Sequence, residues 1–206
     1  MADGGFTELV INTAWLGEQF PAHFEALLEH QIGLKPNEYM REQLSISYSH
    51  EGVDFGGALE TAGGIARALP KLGDVFWVLA GDIYTPGFEF KQSDVDRFIA
   101  SGQLAHLWLV PNPPHNIKGD FGLGSDGLAL NLPVHSIEPR YTFSTIALYR
   151  KSFFDAFPFG NPNGIKAPLA PLLRAAMDNN QINAELYTGE WTDVGTPARL
   201  AELNKV

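Results

Sequence analysis

Residues Trp77–Tyr84 read Trp-Val-Leu-Ala-Gly-Asp-Ile-Tyr, an apolar run that ends abruptly in Gly-Asp. This pattern predicts a buried strand, Phe76–Ala80, that presents the carboxylate of Asp82 just beyond its carboxyl end. In open α/β sheets ligands bind at that edge, and a glycine lets them approach the backbone. Asp82 is therefore a candidate ligand for a divalent metal on a phosphate. An aspartate at a strand end also commonly stabilises the following turn, and the residues alone leave both interpretations open.

A second candidate acid is Asp193, in the segment Trp-Thr-Asp-Val-Gly-Thr-Pro at 191–197. Its simplest role is to stabilise the turn into a final helix, predicted over Pro197–Asn204 with proline in the first turn. Mg²⁺ usually takes one or two protein carboxylates together with phosphate oxygens and water. Asp82 and Asp193 match that number, so we predict that they share one Mg²⁺ in phosphoryl or nucleotidyl transfer.

Strands and helices alternate in the first half of the chain, which favours a largely parallel sheet with helices on both faces. The predicted strands there are Glu8–Asn12, Leu44–Ser49, Phe76–Ala80 and Ala105–Val110, and the predicted helices are Leu16–His30, Gly63–Leu69 and Asp94–Ala100, the last capped by Ser93. Beyond Pro111 the pattern changes to glycine-rich turns and short strands, interpreted as an antiparallel insertion that forms one wall of a pocket. Its strands are predicted around Asp120–Leu123, Leu128–Leu132 and Tyr141–Tyr149, and a helix (Leu169–Asn179) and a strand (Ala184–Tyr187) follow.

Composition excludes several classes of function. The 206 residues are 45% hydrophobic, enough for a sizeable core, and the net charge of −10 argues against a nucleic-acid binder. The sequence has no apolar run of the roughly 18 residues that a membrane span needs, so no membrane partner is expected. Cysteine is absent, which excludes disulfides and thiolate catalysis and favours the cytoplasm. HExxH and GxSxG motifs are also absent, and no GxGxxG follows a strand, which disfavours a dinucleotide oxidoreductase.

Small residues at Leu59–Gly64 (Leu-Glu-Thr-Ala-Gly-Gly) mark a loop that enters a helix. Free backbone amides at such a position favour an anion or the edge of a base, although ordinary loop chemistry explains the same residues. Elsewhere His115 lies in a predicted loop where it could contact substrate. The candidate phosphate or carboxylate contacts among the cations are Lys118, Arg140, Lys166 and Arg174.

Seven segments that span nearly the whole chain occur in the order found in one family. They are Glu8–Phe20, Leu59–Asp74, Phe76–Tyr84, Asn112–Leu123, Tyr141–Tyr149, Ala170–Met177 and Trp191–Asn204. The chain resembles the sugar-1-phosphate nucleotidyltransferases. Within that family it is most similar to the N-acetylmuramate α-1-phosphate uridylyltransferases of bacterial cell-wall (peptidoglycan) recycling and to related mannose-1-phosphate guanylyltransferases.

The resemblance implies a Rossmann-like α/β/α sandwich with a mixed, mostly parallel sheet and an antiparallel sugar-side extension. It implies that an NTP, UTP by this likeness, and a sugar 1-phosphate react to give an NDP-sugar and pyrophosphate. By the same likeness Asp82 and Asp193 are catalytic and bind Mg²⁺, and nucleotide contacts fall on Thr61, Gly63 and Gly64. Substrate contacts on the sugar side fall on Asn112, Asp120, Thr142 and Ser144. Thr145 departs from the pattern, because close relatives often carry glycine there.

The resemblance also predicts a single nucleotidyltransferase domain over 1–206 that lacks the family's N-terminal strand, Gly-rich loop and helix. A sheet without that strand would expose unpaired backbone groups, so we expect marginal stability or self-association. Loss of the loop would impair activity, which leaves a non-catalytic sugar-nucleotide-binding or regulatory module as an alternative. A metal-dependent glycosyltransferase is a third possibility, but it usually has Asp-x-Asp where this chain has Gly81–Asp82–Ile83.

Overall fold

The computed structural model describes residues 1–30 and 44–205. The chain divides into two compact units. Unit 1 comprises Met1–Gly73, Phe90–Gln92 and Phe154–Leu169, and unit 2 comprises Asp74–Glu89, Ser93–Phe153 and Ala170–Val206. The prediction of one domain over 1–206 stays a prediction. Among the described residues, no helix combines the length and apolarity that crossing a membrane requires.

In the part of unit 1 that the structure describes, two parallel strands and three helices are present. Strand β1 (Glu8–Thr13) pairs with β2 (Ser45–His50), with Leu9 opposite Ile46 and Ile11 opposite Tyr48. The helices are α1 (Gln19–His30), α2 (Glu51–Phe55) and α3 (Glu60–Ala68). The predicted ends of β1, β2 and α3 differ from these by up to three residues, and α2 was not predicted. A short 3₁₀ turn at Ala2–Gly4 ends at Gly5, whose φ of 88° is typical of a glycine C-cap.

Buried polar groups stabilise the loops of unit 1. Asn161 is fully buried; its Nδ2 donates to the carbonyls of Gly63 and Ile165, and its Oδ1 accepts from the Ile165 N–H at 2.8 Å. Glu51 is also buried, and its carboxylate accepts from the Leu59 N–H at 2.7 Å. Burial raises the pKa of Glu51, although the bond from Leu59 opposes that shift. These contacts tie segments distant in sequence together within the unit.

Unit 2 contains a six-stranded mixed sheet with β8 at its centre. The strands of this unit are β3 (Val75–Val78), β4 (Ile83–Tyr84), β5 (Ala105–Val110), β6 (Phe121–Leu123), β7 (Ala129–Leu130), β8 (Arg140–Arg150), β9 (Ile182–Leu186) and β10 (Thr192–Asp193). The sheet has the order β7-β6-β8-β5-β9, and β3 also pairs with β8. Strands β5 and β9 are parallel, whereas β8 runs antiparallel to β3, β5 and β6. The predicted α/β class with an antiparallel part is confirmed.

The core of unit 2 forms around β5 and β8 because both strands are rich in apolar residues and lie inside the sheet. All six residues of β5 are buried, and so is the run Ile146–Tyr149 of β8. Aromatic rings pack against this core, with the Trp77 and Trp108 ring centroids 4.9 Å apart. Because β5 and β8 each have a neighbouring strand on both sides, this part of unit 2 is closely packed and rigid.

The helices of the second half are α4 (Gln92–Ser101), α5 (Leu169–Asp178) and α6 (Pro197–Leu203). Helix α4 begins before the predicted cap, so the predicted capping role of Ser93 is wrong: Ser93 is the second residue of the helix. The cap of α6 is Thr196, whose hydroxyl accepts from the Arg199 N–H at 3.3 Å. Pro197 follows in the first turn as predicted, and this cap fixes the direction in which α6 leaves the segment that carries Asp193.

Candidate active site

Asp82 and Asp193 lie on two short strands that pair with each other. Strand β4 directly follows Asp82, and β10 ends at Asp193, which lies opposite Ile83 in an antiparallel register. The Val194 N–H donates to the Asp82 carbonyl at 2.8 Å. The two strands form a ribbon, here called the β4–β10 ribbon, that brings together two acids more than a hundred residues apart in sequence.

Distances measured at Gly195 show how closely the two carboxylates approach each other. A methyl group built on Gly195 would lie 2.5 Å from Asp82 Oδ2 and 3.0 Å from Asp193 Oδ1. The two oxygens are therefore separated by no more than the sum of these distances. The absence of a side chain at Gly195 leaves the space between the carboxylates open.

Asp193 is held by two donors and contacts a histidine in the same unit. Its Oδ1 accepts from the Gly195 N–H at 2.8 Å and from Arg199 Nη2 at 2.9 Å. Its Oδ2 lies 3.3 Å from His115 Nε2. Arg199 reaches back from the first turn of α6, so the Thr196–Pro197 cap also positions the guanidinium. The predicted turn-stabilising role of Asp193 and its place beside Asp82 therefore coexist.

A polar network lies on β8 and the loop before β6. Asp120 Oδ2 accepts from the Phe143 N–H at 2.9 Å and from Asn116 Nδ2 at 3.1 Å. Thr142 Oγ1 accepts from Asn116 at 3.2 Å and donates to Asn112 Oδ1 at 2.9 Å. The network fixes the Asn116 amide and the Asp120 carboxylate relative to β8.

These groups line one cleft of about 360 Å³ in unit 2. The lining residues are Asp82, Ile83, His115, Asn116, Asp120, Thr142, Phe143, Thr145, Trp191 and Asp193. The sequence prediction placed Asp82, Asp193, Asp120 and Thr142 at a site, and the structure brings these four together. Asn112 supports the network from behind, and it is not among the described residues that line the cleft.

Ser144 does not reach the cleft, although the resemblance assigns it a substrate contact. It is fully buried, and its hydroxyl donates to the Trp108 carbonyl at 2.6 Å. Its neighbour Thr145 lines the cleft instead. Thr145 has a φ of 69° inside β8, a conformation that suits glycine and is rare for a β-branched residue. Substrate contact by Ser144 stays a prediction from the resemblance, and Thr145 is the residue of this pair that lines the cleft.

Thr61, Gly63 and Gly64 lie in α3 of unit 1. Thr61 is exposed in the first turn, whereas both glycines are buried inside the helix. A methyl group on Gly64 would lie 2.5 Å from Glu51 Oε1, so close packing requires glycine there. The Ala62 and Gly63 N–H groups already donate to the Ala167 carbonyl, at 3.0 and 3.2 Å, so they are not free for a ligand. Nucleotide contact by these three residues stays a prediction.

Two of the candidate cations have structural partners. Arg140 and Arg174 both donate to the Asp120 carbonyl, at 2.9 and 3.4 Å, and Arg174 also lies over the Phe121 ring. The basic side chains beside the carboxylates are the guanidinium of Arg199 and the imidazole of His115. His115 was predicted to lie in a loop where it could contact substrate, whereas Arg199 was not among the predicted site residues. The position of Arg199 two residues after Pro197 was the available signal, because the first turn of a capped helix faces the preceding loop.

Across residues 1–30 and 44–205, no cluster of three or more histidine, aspartate and glutamate side chains is placed to hold a metal ion. Among the acids that line the cleft, Asp82 and Asp193 are the two whose carboxylates approach each other beside Gly195. That number is within the range that Mg²⁺ uses when substrate phosphates and water complete its shell.

Comparison with solved structures gives the class of the fold. A Bacillus anthracis protein described as a glucose-1-phosphate thymidylyltransferase, solved with sucrose, matches 98% of this chain and 76% of its own, with TM-score 0.68 and 16% identity. A UTP-bound UGPase from Acinetobacter baumannii matches 97% of this chain and 76% of its own, with TM-score 0.66 and 13% identity. The chain has the Rossmann-like α/β fold of the nucleotidyltransferases, as predicted.

Sequence comparison gives the family. No family model matches the chain. The N-acetylmuramate α-1-phosphate uridylyltransferase of Neisseria meningitidis serogroup B is 40% identical over 214 residues, which cover 98% of this chain and 79% of that protein. The chain belongs to the sugar-1-phosphate nucleotidyltransferase family. Membership of an enzyme family does not favour the alternative of a non-catalytic binding module.

Proposed function

We propose that this chain transfers a uridylyl group from UTP to N-acetylmuramate 1-phosphate, in the recycling of cell-wall sugars. The observation that carries the proposal is the convergence of Asp82 and Asp193 in a cleft whose other wall is the Asn116–Asp120–Thr142 network. The identity of 40% to a uridylyltransferase of that substrate supports the choice of base and sugar. The cytoplasm is the proposed compartment, consistent with a sequence free of cysteine.

The proposed reaction exchanges one phosphorus–oxygen bond for another. A phosphate oxygen of the sugar phosphate attacks the α-phosphorus of UTP in line, and the bond from that phosphorus to the bridging oxygen breaks to release pyrophosphate. The polar network of Asn116, Asp120 and Thr142 orients the sugar phosphate. Arg199 places positive charge beside the carboxylates, where charge develops on the transferring group, and the His115 ring lies next to Asp193.

Mg²⁺ is the proposed cofactor, and the donor set fits it. Asp82 Oδ2 and Asp193 Oδ1 approach each other beside Gly195 and Arg199, and oxygen donors are the ligands that Mg²⁺ prefers. When bound, the ion would neutralise phosphate charge. The chain's own contribution is to hold Asp82 and Asp193 at a fixed separation, through the β4–β10 ribbon and the bond from Arg199 to Asp193.

The test is pyrophosphate release with Mg²⁺, UTP and N-acetylmuramate 1-phosphate. Asp82→Asn and Asp193→Asn should each reduce release by on the order of 10²-fold or more, because each removes a charged ligand at the reacting centre. Asp155→Asn, an exposed carboxylate in unit 1, is the matched control and should retain full activity. Release from GTP with mannose 1-phosphate that exceeds release from UTP would reject the proposed substrates. Absence of release with both pairs would reject the proposed activity.

A further inference from the structure

The backbone of β8 makes a step at Ser144–Thr145. Thr145 adopts a φ of 69°, and the register of β5 against β8 shifts between Leu107 and Leu109. The strand pairs with β6 on the amino-terminal side of the step and with β3 on the carboxyl-terminal side. Backbone strain in a β-branched residue persists only where the surroundings enforce it, and such strain clusters at functional sites.

Buried contacts of Ser144 enforce the step. Ser144 has no exposed surface, and its hydroxyl donates to the Trp108 carbonyl at 2.6 Å on the neighbouring strand. The same hydroxyl accepts from the Ile146 N–H at 3.1 Å, in place of a strand partner. The hydroxyl thereby satisfies two backbone groups that the step would otherwise leave unpaired.

The step also contacts both segments that carry the acids. The Thr145 hydroxyl accepts from the Ala80 N–H at 3.3 Å, two residues before Asp82. The Ser144 carbonyl accepts from Trp191 Nε1 at 3.1 Å, two residues before Asp193. One dipeptide of the central strand is thus bonded to each segment that leads into the β4–β10 ribbon.

We infer that the Ser144–Thr145 step is a positioning element for the carboxylate pair, and that the Thr145 hydroxyl is the group that anchors the Asp82 segment. The inference rests on the proposed function for its catalytic consequence, but the anchor itself is a structural property that can be measured separately. Glycine would relieve the strain at this position and would lose the anchor. Substitution by glycine should therefore raise the stability of the protein and weaken the hold on the Asp82 segment, and the two effects can be measured separately.

Three variants separate the hydroxyl from the shape of the side chain. Thr145→Val keeps the branched shape and removes the hydroxyl, Thr145→Ser keeps the hydroxyl, and Thr145→Gly removes both and permits the positive φ. Hydrogen exchange of the peptide that contains Leu79–Tyr84 reports the anchor directly. We expect exchange of the Ala80 amide to become about tenfold faster in Thr145→Val and Thr145→Gly, and to stay at the wild-type rate in Thr145→Ser.

Measurements of thermal stability distinguish a positioning role of Thr145 from a purely structural one. Thr145→Gly should melt at or above the temperature of the wild type, because it relieves strain, and yet show the faster exchange at Ala80. Binding of Mn²⁺, a spectroscopic substitute for Mg²⁺, should weaken in Thr145→Val and Thr145→Gly and be retained in Thr145→Ser. In the uridylyl transfer assay, kcat should fall about tenfold for the same two variants while the KM for the sugar phosphate stays within about twofold.

The outcomes distinguish the two proposals. If the wild type releases no pyrophosphate, the proposed function fails, and exchange and Mn²⁺ binding still decide the anchor. Wild-type exchange at Ala80 in Thr145→Val would overturn the anchor, and so would a Thr145→Ser variant that behaves like Thr145→Val. A Thr145→Gly variant that loses stability in proportion to its faster exchange would assign Thr145 a general structural role and overturn the inference.

Discussion

Strands β1 and β5 have similarly apolar sequences and very different burial. The Leu9-Val10-Ile11 run of β1 is half-buried, and Thr13 is the buried residue of that strand. In β5 all six residues, including the Leu107-Trp108-Leu109 run, are buried. The difference follows from the neighbours: β5 lies between β8 and β9, whereas among the described strands β1 pairs with β2 alone. Burial of a strand is thus determined by its place in the sheet as much as by its own residues.

The two units differ in packing in the same way as these two strands. The pairing of β1 with β2 alone, which is what residues 1–30 and 44–73 show, would be marginal by itself, and unit 1 exposes Trp15 (84%) and Val53 (86%). In unit 2 the central strands β5 and β8 each have a neighbouring strand on both sides. The segments that lead into the β4–β10 ribbon, which carries Asp82 and Asp193, are hydrogen-bonded to β8. A carboxylate pair needs fixed geometry to act together, and the better-packed unit provides it.

The largest effect expected concerns matched leucines in the two strands. Leu109→Ala, in β5, should lower the free energy of unfolding by about 2–5 kcal/mol, because it leaves a cavity in a closed core. Leu9→Ala, in β1, should cost markedly less, since that side chain is half-buried. Urea titration of both variants measures the difference. Equal losses would mean that unit 1 is as well packed as unit 2.

A glycine substitution tests the geometry of the carboxylates. Gly195→Ala should reduce kcat for nucleotidyl transfer by on the order of 10²-fold, because the new methyl group would displace Asp82 Oδ2 and Asp193 Oδ1. Stability should change little, since Gly195 is exposed. Gly57→Ala is the control, because a methyl group there meets no atom within 4 Å. Full activity in Gly195→Ala would show that the separation of the carboxylates is not critical.

The buried hydrogen bonds of Asn161 are expected to contribute to the stability of unit 1. Asn161→Ala should cost about 2 kcal/mol, because the side chain makes three hydrogen bonds in a fully buried position. Asn163→Ala removes an exposed amide two residues away and should be nearly neutral. Thermal melting compares the two. A small effect of Asn161→Ala would indicate that unit 1 contributes little to the measured transition.

The smallest effect is a difference in pH dependence between one glutamate of each unit. His106 foremost, with Arg97 and Trp108, lowers the pKa of Glu185 in unit 2, whereas burial raises the pKa of Glu51 in unit 1. The stability that Glu185 contributes is present above the ordinary pKa of 4.5 and is lost as the pH falls through its lowered pKa. The contribution of Glu51 is greatest below 4.5 and is lost as the pH rises through its raised pKa.

Melting temperatures of Glu185→Gln and Glu51→Gln, measured against the wild type across this range, should therefore diverge in opposite directions. Relative to the wild type, Glu185→Gln should be most destabilised at neutral pH and should recover in acid. Glu51→Gln should gain on the wild type as the pH rises. Glu202→Gln, an exposed residue of α6, serves as the control. Parallel pH curves for the two variants would contradict the assigned environments.

The sequence predicts most of the elements of unit 2 and part of its site. Ala105–Val110 was predicted with its observed bounds because six consecutive residues without a breaker or a polar face indicate a fully buried strand. Asp82 was predicted from the Gly-Asp that follows an apolar run, and it lines the cleft. The burial of Ser144 could not be predicted, because the resemblance that named it gives no side-chain orientation and its hydroxyl bonds to Trp108 on a neighbouring strand. Arg199 was missed because its role depends on how the Thr196 cap directs α6, which is a tertiary property.

The β4–β10 ribbon has a consequence for the order in which the protein assembles. Its two strands come from opposite ends of unit 2, so closing the intervening loop carries a large entropic cost until β5, β8 and β9 have brought the ends together. A chain still emerging from the ribosome has Asp82 long before Asp193. Under the proposed function, affinity for Mg²⁺ at this pair would rise only when the last strand is in place, and it would measure the fraction of chains that have completed folding.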